Sequence, residues 1–484
     1  MSAAPRWARH LPAGARWEDL DLLEGVSIPA VAARWGDRQP HRPAFGALAW
    51  GDLLAASEVV AGRLARLGVR RGDRVLFSTA PSVDLVVAHL AALRMGAVAV
   101  PANTAYGRDE LGHIVSDASP VAAVVDDPAR VPGLPTVSAA VEGDDGPVPV
   151  LDRVSGDDPA VIGYTSGTTG RPKGAVLSHA NVLAGARSVV VAWRWSPEDR
   201  LVLALPLFHA HGLAVGVHGT LVAGASAEVL PRFDVDAVLD RVDAGATLLF
   251  GVPTMWVRLT ASPRAHVLSK LRLCVSGSAP LSPSVFARIR DAAGHDVVER
   301  YGMTETVMLA SNPIEGTRRA GTVGVPLPGV TMRLGDDGEV LVRGPAVFRG
   351  YLGQPSAPYF TDDGMFRTGD VGEWDDEGYL RIVGRSKELI ITGGFNVYPR
   401  EVEDVLAAHP AVAEAAVVGL PSDEWGEEVV AAVVLAGDAD ADALRGWCRE
   451  RLAAFKCPRQ VRFVPALPRN AMGKVDRAGL VATL

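Results

Sequence analysis

The segment Arg74–Val125, RVLFSTAPSVDLVVAHLAALRMGAVAVPANTAYGRDELGHIVSDASPVAAVV, decides the fold class. Arg74–Ser78 is a short apolar run, and Val83–Leu93 carries its apolar residues at helical spacing. Ala97–Val100 is strand-like again, Asp109–Asp117 helical, and Val121–Val125 a third strand-like run. Short buried strands alternating with helices predict a mostly parallel α/β sheet. The alternation returns at Pro159–Tyr164, Thr247–Phe250 and Leu271–Val275, each ending in a loop rich in Gly, Ser or Pro. Loops at the carboxyl ends of such strands are where ligands bind.

Beyond Ala320 the texture changes. Val323–Val330, Val340–Gly344 and Tyr379–Val383 are short strand-like runs separated by Gly, Pro and Asp, which predicts a small β subdomain. A last unit follows Arg385: a helix over Pro399–Ala408, strands near Val412–Gly419 and Glu428–Leu435, a helix near Asp442–Ala453 and a strand at Gln460–Val464. That order describes a small α+β domain. The expected division is therefore a large domain over residues 1–385 and a small one over 386–484. Residues 143–156, rich in Asp, Gly and Pro, read as a loop inside the large domain.

Composition narrows the function classes. The chain has 484 residues, 48% of them hydrophobic, enough for a large core. It carries 48 basic against 56 acidic residues, a formal charge of −8 and a pI near 5.8. That balance opposes a nucleic-acid coat or a polybasic membrane anchor, because both need a positive surface. It does not oppose a site for one small anion, where a few local donors suffice. The three cysteines, Cys274, Cys448 and Cys457, show neither pairing nor metal-ligand spacing, which favours a reducing compartment. The first twenty residues lack an apolar core, so no secretory signal is expected. The longest apolar stretches, near 84–101 and 212–230, are broken by His89, Arg94, His218 and several glycines and do not read as membrane spans. The expectation is a cytoplasmic protein; oligomeric state is not read from the chain.

The strongest chemical signal is Tyr164-Thr165-Ser166-Gly167-Thr168-Thr169-Gly170-Arg171-Pro172-Lys173-Gly174. Three glycines free the backbone to wrap an anion, and four hydroxyls with Lys173 supply donors and positive charge. This suits a triphosphate. It is not a Walker A loop, since no Gly-Lys-Ser/Thr stands at the required spacing.

This loop resembles the signature of the adenylate-forming superfamily: acyl-CoA synthetases, adenylation domains and luciferases. Gly277-Ser278-Ala279-Pro280, Tyr301-Gly302-Met303-Thr304-Glu305-Thr306, Phe366-Arg367-Thr368-Gly369-Asp370 and Gly384-Arg385-Ser386-Lys387 follow in the superfamily's order. Gly393-Gly394-Phe395-Asn396-Val397-Tyr398-Pro399 and Pro468-Arg469-Asn470-Ala471-Met472-Gly473-Lys474 complete a set of motifs that spans nearly the whole chain. The resemblance implies an ATP-dependent acid–thiol ligase. A carboxylate attacks the α-phosphorus of ATP, pyrophosphate leaves, and the thiol of CoA then displaces AMP from the acyl adenylate. Such chemistry rests on positioning and charge neutralisation.

By the same resemblance, Thr165 to Gly170 and Lys173 hold phosphates, Glu305 binds Mg²⁺, and Thr304 contacts the α-phosphate. Asp370 takes the ribose hydroxyls, with Arg385 close by on the nucleotide. Ser278, Ala279 and Pro280, with Glu299, Arg300 and Tyr301, line the adenine slot, next to Gly302 and Met303. Lys474 matches the mobile lysine that reaches the α-phosphate and the attacking carboxylate, Lys387 the hinge of the small domain, and Gly393, Gly394 and Phe395 the loop at the pantetheine tunnel. Acetylation of Lys474 by a protein acetyltransferase would remove its charge and silence adenylation.

For the acid pocket the resemblance implies Phe208-His209-Ala210-His211-Gly212, the Val252–Arg258 run, the Ser276–Pro280 turn and Met303. A basic residue beside an otherwise apolar pocket is costly unless it meets an anion, so Arg258 with Ser278 is read as the grip on a second carboxylate. The segments around Leu249–Met255, Glu299–Thr306 and Gly321–Val330 look most like malonyl-CoA synthetases, in which the matching arginine and serine hold the distal carboxylate. The small Ala210 between two histidines leaves room for a substituent at carbon 2, so methylmalonate is the second candidate. His209 and His211 lack a third zinc ligand nearby and read as pocket walls. The alternatives are a medium-chain or aromatic acyl-CoA synthetase, a stand-alone enzyme loading a carrier protein, and a non-catalytic nucleotide sensor. A sensor has no use for the mobile lysine.

Overall fold

Five alternating elements between Arg74 and Val125 form as their patterns predict: strands Arg74–Ser78, Val98–Pro101 and Ala122–Val125 around helices Val83–Arg94 and Arg108–Ala118. The computed structural model describes residues 5–140, 146–165, 172–422, 424–470 and 474–484. Helix Val83–Arg94 starts where the Ser82 hydroxyl accepts from the Leu85 N–H at 3.1 Å, the usual serine cap. Every residue from Leu85 to Arg94 is buried, so this helix is covered on all sides, which is why its apolar pattern has no polar face.

These strands belong to a six-stranded sheet in the order Thr136–Val137, Ala122–Val125, Arg74–Ser78, Val98–Pro101, Pro159–Thr165, Lys173–Ser178. All pair parallel except the last, which folds back antiparallel with Thr165 opposite Lys173 and Tyr164 opposite Gly174. A second, nine-stranded sheet is parallel through Val298–Tyr301, Leu273–Ser276, Leu248–Gly251, Arg200–Leu203 and Ser226–Val229. Its strands bring the sequence-distant ends Gly251, Ser276 and Glu299 to one edge of the layer. Trp193 and Trp195 pack edge-on to Phe250, each at 5.3 Å, as core residues of this sheet.

The described residues pack as two compact units. The larger runs to Leu281 and takes in Val285–Met332 and Val342–Phe366; the smaller holds Ser282–Ser284, Arg333–Leu341 and Arg367–Leu484. The smaller unit contains the antiparallel pair Phe366–Trp374 and Leu380–Arg385 for most of its length, and a five-stranded sheet built on the long hairpin Val412–Ser422/Gly426–Leu435. Helix Pro399–Ala407 lies against that hairpin, burying Val402 and Leu406. The sequence pattern misses strand Phe366–Trp374, because its alternating Gly and Asp read as motif rather than strand. It also overextends two elements. Val323–Val330 contains only the two-residue strand Val325–Pro326, and the second helix of the last unit stops at Arg449.

The three cysteines are buried and unbonded. Among the described residues no helix is long and apolar enough to cross a membrane, and no cluster of three or more His, Cys, Asp or Glu could hold a metal.

Candidate active site

The Ser166–Gly170 part of the phosphate motif lies outside the described residues, but both of its flanks are placed. Thr165 and Lys173 face each other at the open end of the antiparallel pair. The Lys173 ammonium donates to Tyr359 Oη at 2.8 Å and lies 5.0 and 5.4 Å from the ring centres of Tyr359 and Tyr351. Tyr351 Oη in turn donates to Glu305 Oε1 at 2.7 Å, and Glu305 is only 4% exposed. Thr304, in the turn after strand Val298–Tyr301, packs against strand Pro159–Thr165: a Cβ added at Gly163 would come within 2.4 Å of Thr304 Cγ2, so a side chain there would push Thr304 aside. Lys173, Thr304 and Glu305, distant in sequence, therefore share one region. The next residue but one, Val307, holds φ +57, a costly conformation for a β-branched side chain and one characteristic of functional turns.

Tyr351 and Tyr359 belong to no motif, and sequence reading missed them. The available signal was local density: Phe348, Tyr351, Tyr359, Phe360 and Phe366 crowd one short segment of a chain that is only 6% aromatic.

Several residues read from the sequence as the acid pocket or adenine slot lie at the ends of the parallel strands of the second sheet. Arg300, on strand Val298–Tyr301, is 5% exposed and donates to Ser278 Oγ at 3.3 Å. Its guanidinium lies over Gly277, where a Cβ would come within 2.3 Å of Nε, so the glycine before Ser278 exists to admit it. Ser278 itself holds φ +68 and contacts His211 Nδ1 at 3.3 Å. His211 stacks parallel to Phe250 at 6.3 Å, and burial first, then the charge of Arg300, holds its pKa well below the usual value. It is a neutral ring.

Arg300 has no carboxylate within ion-pair distance among the described residues. Burial alone pushes its pKa down to about 9. Arg300 Nε, His211 Nε2, Ser276 Oγ and Trp256 Nε1 are all buried without a hydrogen-bond partner among the described residues. Glu299 Oε2, on the same strand as Arg300, makes no hydrogen bond among the described residues either, and because buried polar groups are normally paired, these strand ends are a candidate site for a polar ligand.

The expected partnership of Arg258 with Ser278 does not form, and this corrects the sequence reading. Helix Pro253–Thr260 turns Met255, Trp256 and Leu259 inward, which leaves Val257 and Arg258 on the outer face. Arg258 is exposed, with its guanidinium 5.0 Å from the centre of the Phe233 ring. Ser278 is met by Arg300, which the resemblance had given only to the adenine slot. Strand alternation explains the difference: Arg300 points to the opposite face from Glu299 and Tyr301. Glu299 Oε1 accepts from the Leu281 N–H at 3.1 Å and so fixes the turn containing Ala279 and Pro280, both exposed. Gly302 and Met303 are half-buried next to that strand, as are His209 and Ala210 ahead of a π-helical turn, His211–Val217. Such turns recur at functional sites. Gly212 accepts no side chain, since a Cβ would meet Pro206 O at 2.2 Å.

In the smaller unit, Asp370 and Arg385 are cross-strand partners, with Arg385 Nε 3.0 Å from Asp370 Oδ1. Lys387 is exposed in the short turn Ser386–Glu388 directly after that strand. Gly393 and Gly394, at φ +57 and +81, form the two-residue turn between strands Ile390–Thr392 and Phe395–Val397, a turn that needs positive φ at both positions. Phe395 stays 54% exposed and stacks on Phe455 at 4.6 Å. Lys474 is half-buried, its N–H bonded to Asn470 Oδ1 at 3.1 Å and its carbonyl accepting from the Asn470 N–H at 2.8 Å. Ala471, Met472 and Gly473 of its motif lie outside the described residues.

Comparisons with known proteins agree along the chain. The family of AMP-binding enzymes matches residues 32–352, and the AMP-binding enzyme C-terminal domain matches residues 401–474. A malonate–CoA ligase of Arabidopsis thaliana is 34% identical over 480 residues, covering 86% of this chain and 79% of its own. A feruloyl-CoA synthase of an Amycolatopsis species is 36% identical over 456 residues, covering 89% and 92%. Among solved structures, ATP-bound MatB from Rhodopseudomonas palustris is 41% identical, covers 94% of this chain and 99% of that one, and superposes with a TM-score of 0.88.

Proposed function

Given that the chain belongs to the AMP-binding enzyme family and is an AMP-forming acyl-CoA ligase of the adenylate-forming kind, we propose that its acid is a short dicarboxylate, malonate first. The observation that carries this reading is Arg300: a buried guanidinium without a carboxylate, bonded to Ser278 and ringed by unpaired donors. Burying such a charge is strongly unfavourable unless an anion completes it. A malonate bound with one carboxylate toward the α-phosphate and the other on Arg300 and Ser278 uses both ends. Neutral His211 adds a wall without repelling Arg300. Ala210 leaves space at carbon 2, which keeps methylmalonate as second substrate. The malonate–CoA ligase relative supports this choice. The feruloyl-CoA synthase relative favours an aromatic monoacid instead, but such a tail would leave Arg300 unpaired against an apolar ring.

On the nucleotide side, we assign phosphate binding to Lys173, ribose binding to Asp370 with Arg385, and closure over the α-phosphate to Lys474, swinging about Lys387. Glu305 suits Mg²⁺: one buried, oriented carboxylate is enough for a hard cation whose other ligands are phosphate oxygens and water. Bound there, the ion would neutralise phosphate charge. CoA, with its thiol led past Gly393–Phe395, is the proposed acceptor.

The test measures CoA-dependent AMP release with acetate, octanoate, benzoate, ferulate, malonate and methylmalonate. Malonate should lead, Arg300→Met should lower its kcat/KM by about 10²-fold, the cost of unpairing a buried charge, and Arg258→Ala should change it less than about twofold, as for a surface residue. A lead by a monoacid that Arg300→Met leaves intact removes the dicarboxylate reading and spares the family.

A further inference from the structure

We propose that Tyr351 and Tyr359 are positioning residues, one for each charged group of the phosphate side: Tyr351 orients Glu305 and Tyr359 orients Lys173. The inference rests on the roles proposed above for those two groups. Their backbones explain how the tyrosines reach across. Tyr351 forms an isolated bridge with Ala175, and Leu352 N–H donates to Gly174 O at 2.8 Å, which ties the segment to the strand that begins at Lys173. Phe348 N–H donates to Glu305 O at 2.8 Å, tying the same segment to the metal carboxylate's backbone. Between these anchors the two phenol rings meet edge-on at 4.7 Å.

The chemistry divides cleanly. The Tyr351 hydroxyl donates to Glu305 Oε1 and so holds the carboxylate in one rotamer. The Tyr359 hydroxyl accepts from Lys173 and donates to Gln354 Oε1 at 2.7 Å, which fixes the direction of its lone pair toward the ammonium. Among the described residues Lys173 has no carboxylate partner; neutral phenols hold it instead. The ammonium sits at the hydroxyl rim of Tyr359 and 5.4 Å from the centre of the Tyr351 ring, so neutral groups position it and no ion pair has to be broken before it meets phosphate. The pair therefore holds a cation and a carboxylate through two neutral rings in contact rather than through an ion pair.

The experiment is calorimetric titration of the full chain with ATP, once with Mg²⁺ and once with EDTA, for native protein, Tyr351→Phe, Tyr359→Phe and Glu305→Gln, with thermal melts alongside. Tyr351→Phe should weaken ATP binding about tenfold in Mg²⁺ and leave it unchanged in EDTA, because a hydrogen bond to a charged group is lost only from the metal arm. Tyr359→Phe should weaken binding about equally in both, since Lys173 meets phosphate directly. Equal losses for Tyr351→Phe in both conditions, or none, overturn the proposal; a merely structural role gives the equal loss. Should Tyr351→Phe fail to fold, the Tyr359→Phe arm decides: its loss should vanish in a Lys173→Met background, and no loss, or a loss that persists without Lys173, overturns the proposal. Glu305→Gln separates the two readings. If it abolishes the gain from Mg²⁺ while Tyr351→Phe does not reduce that gain, only this inference fails; if the gain survives Glu305→Gln, the metal assignment itself falls.

Discussion

The phosphate side and the acid side of the larger unit are built in opposite ways. On the phosphate side the charged groups, Lys173 and Glu305, are held by neutral phenols, and their neighbours come from contiguous motifs. On the acid side a buried cation, Arg300, is sunk among strand ends with a neutral histidine, a serine and several donors without a partner among the described residues. The first arrangement keeps charge ready for a ligand that brings its own metal and four negative charges. The second stores an unmet demand for one anion. In the function proposed above, the triphosphate is common to the family whereas the acid is not, and the two arrangements would fit that division: a generic cradle on one side and Arg300 as the discriminating cation on the other.

Three experiments press on this contrast. The largest effect should come from outside both sides. Lys474→Ala should lower acid-dependent pyrophosphate release by about 10³-fold, the scale of losing one preorganised charge at a developing transition state, and by the same factor for every acid accepted. Thioester formation from preformed acyl adenylate and CoA should be spared. Equal loss in both half-reactions, or a loss that depends on the acid, would blur the division.

Next in size is Gly163→Val. The added side chain drives into Thr304, where even a Cβ comes within 2.4 Å of Cγ2. Overpacking of this kind costs about 1–3 kcal/mol. ATP affinity should fall while the KM ratio between malonate and methylmalonate stays constant; a change in that ratio would mean the two sides are mechanically coupled.

The smallest effect is a dependence of stability on pH. His89 and His218 stack with Nε2 atoms 2.8 Å apart in the core between helices Val83–Arg94 and His218–Ala223. Burial, reinforced by the charge of His179, pushes His89 down to about 4; burial, reinforced by His89 and His179, holds His218 well below its usual value; and burial lowers His179 to about 4 despite Asp158. These groups are neutral in the folded chain and titrate near 6.5 when unfolded. Their contribution is complete above about pH 6.5 and is lost as pH falls toward 4, because the unfolded state then binds more protons. Thermal melts should show Tm declining over that window, more shallowly in His89→Phe.

Much of the candidate nucleotide site could be proposed from the sequence because its residues are neighbours in the chain. Asp370 and Arg385 lie in two separate motifs, yet both motifs could be read, and an antiparallel register brings the pair to 3.0 Å. The acid pocket was legible only as a set of segments. Within it, Arg258 and Arg300 are equally conspicuous as letters, and a helix phase buries Trp256 while turning Arg258 out. Tyr351 and Tyr359 carry no motif at all and gain their meaning from a bridge to Ala175.

By itself, then, the sequence determined the alternating α/β architecture, the order of the motifs and the class of chemistry. Each of these depends on local periodicity or on residues within a few positions of one another. Tertiary structure alone decided which arginine meets Ser278, which aromatic rings hold Lys173 and Glu305, and why positions 163 and 277 must be glycine. Those outcomes depend on side-chain direction at elements far apart in the chain, and direction is set by sheet pairing and helix phase rather than by composition.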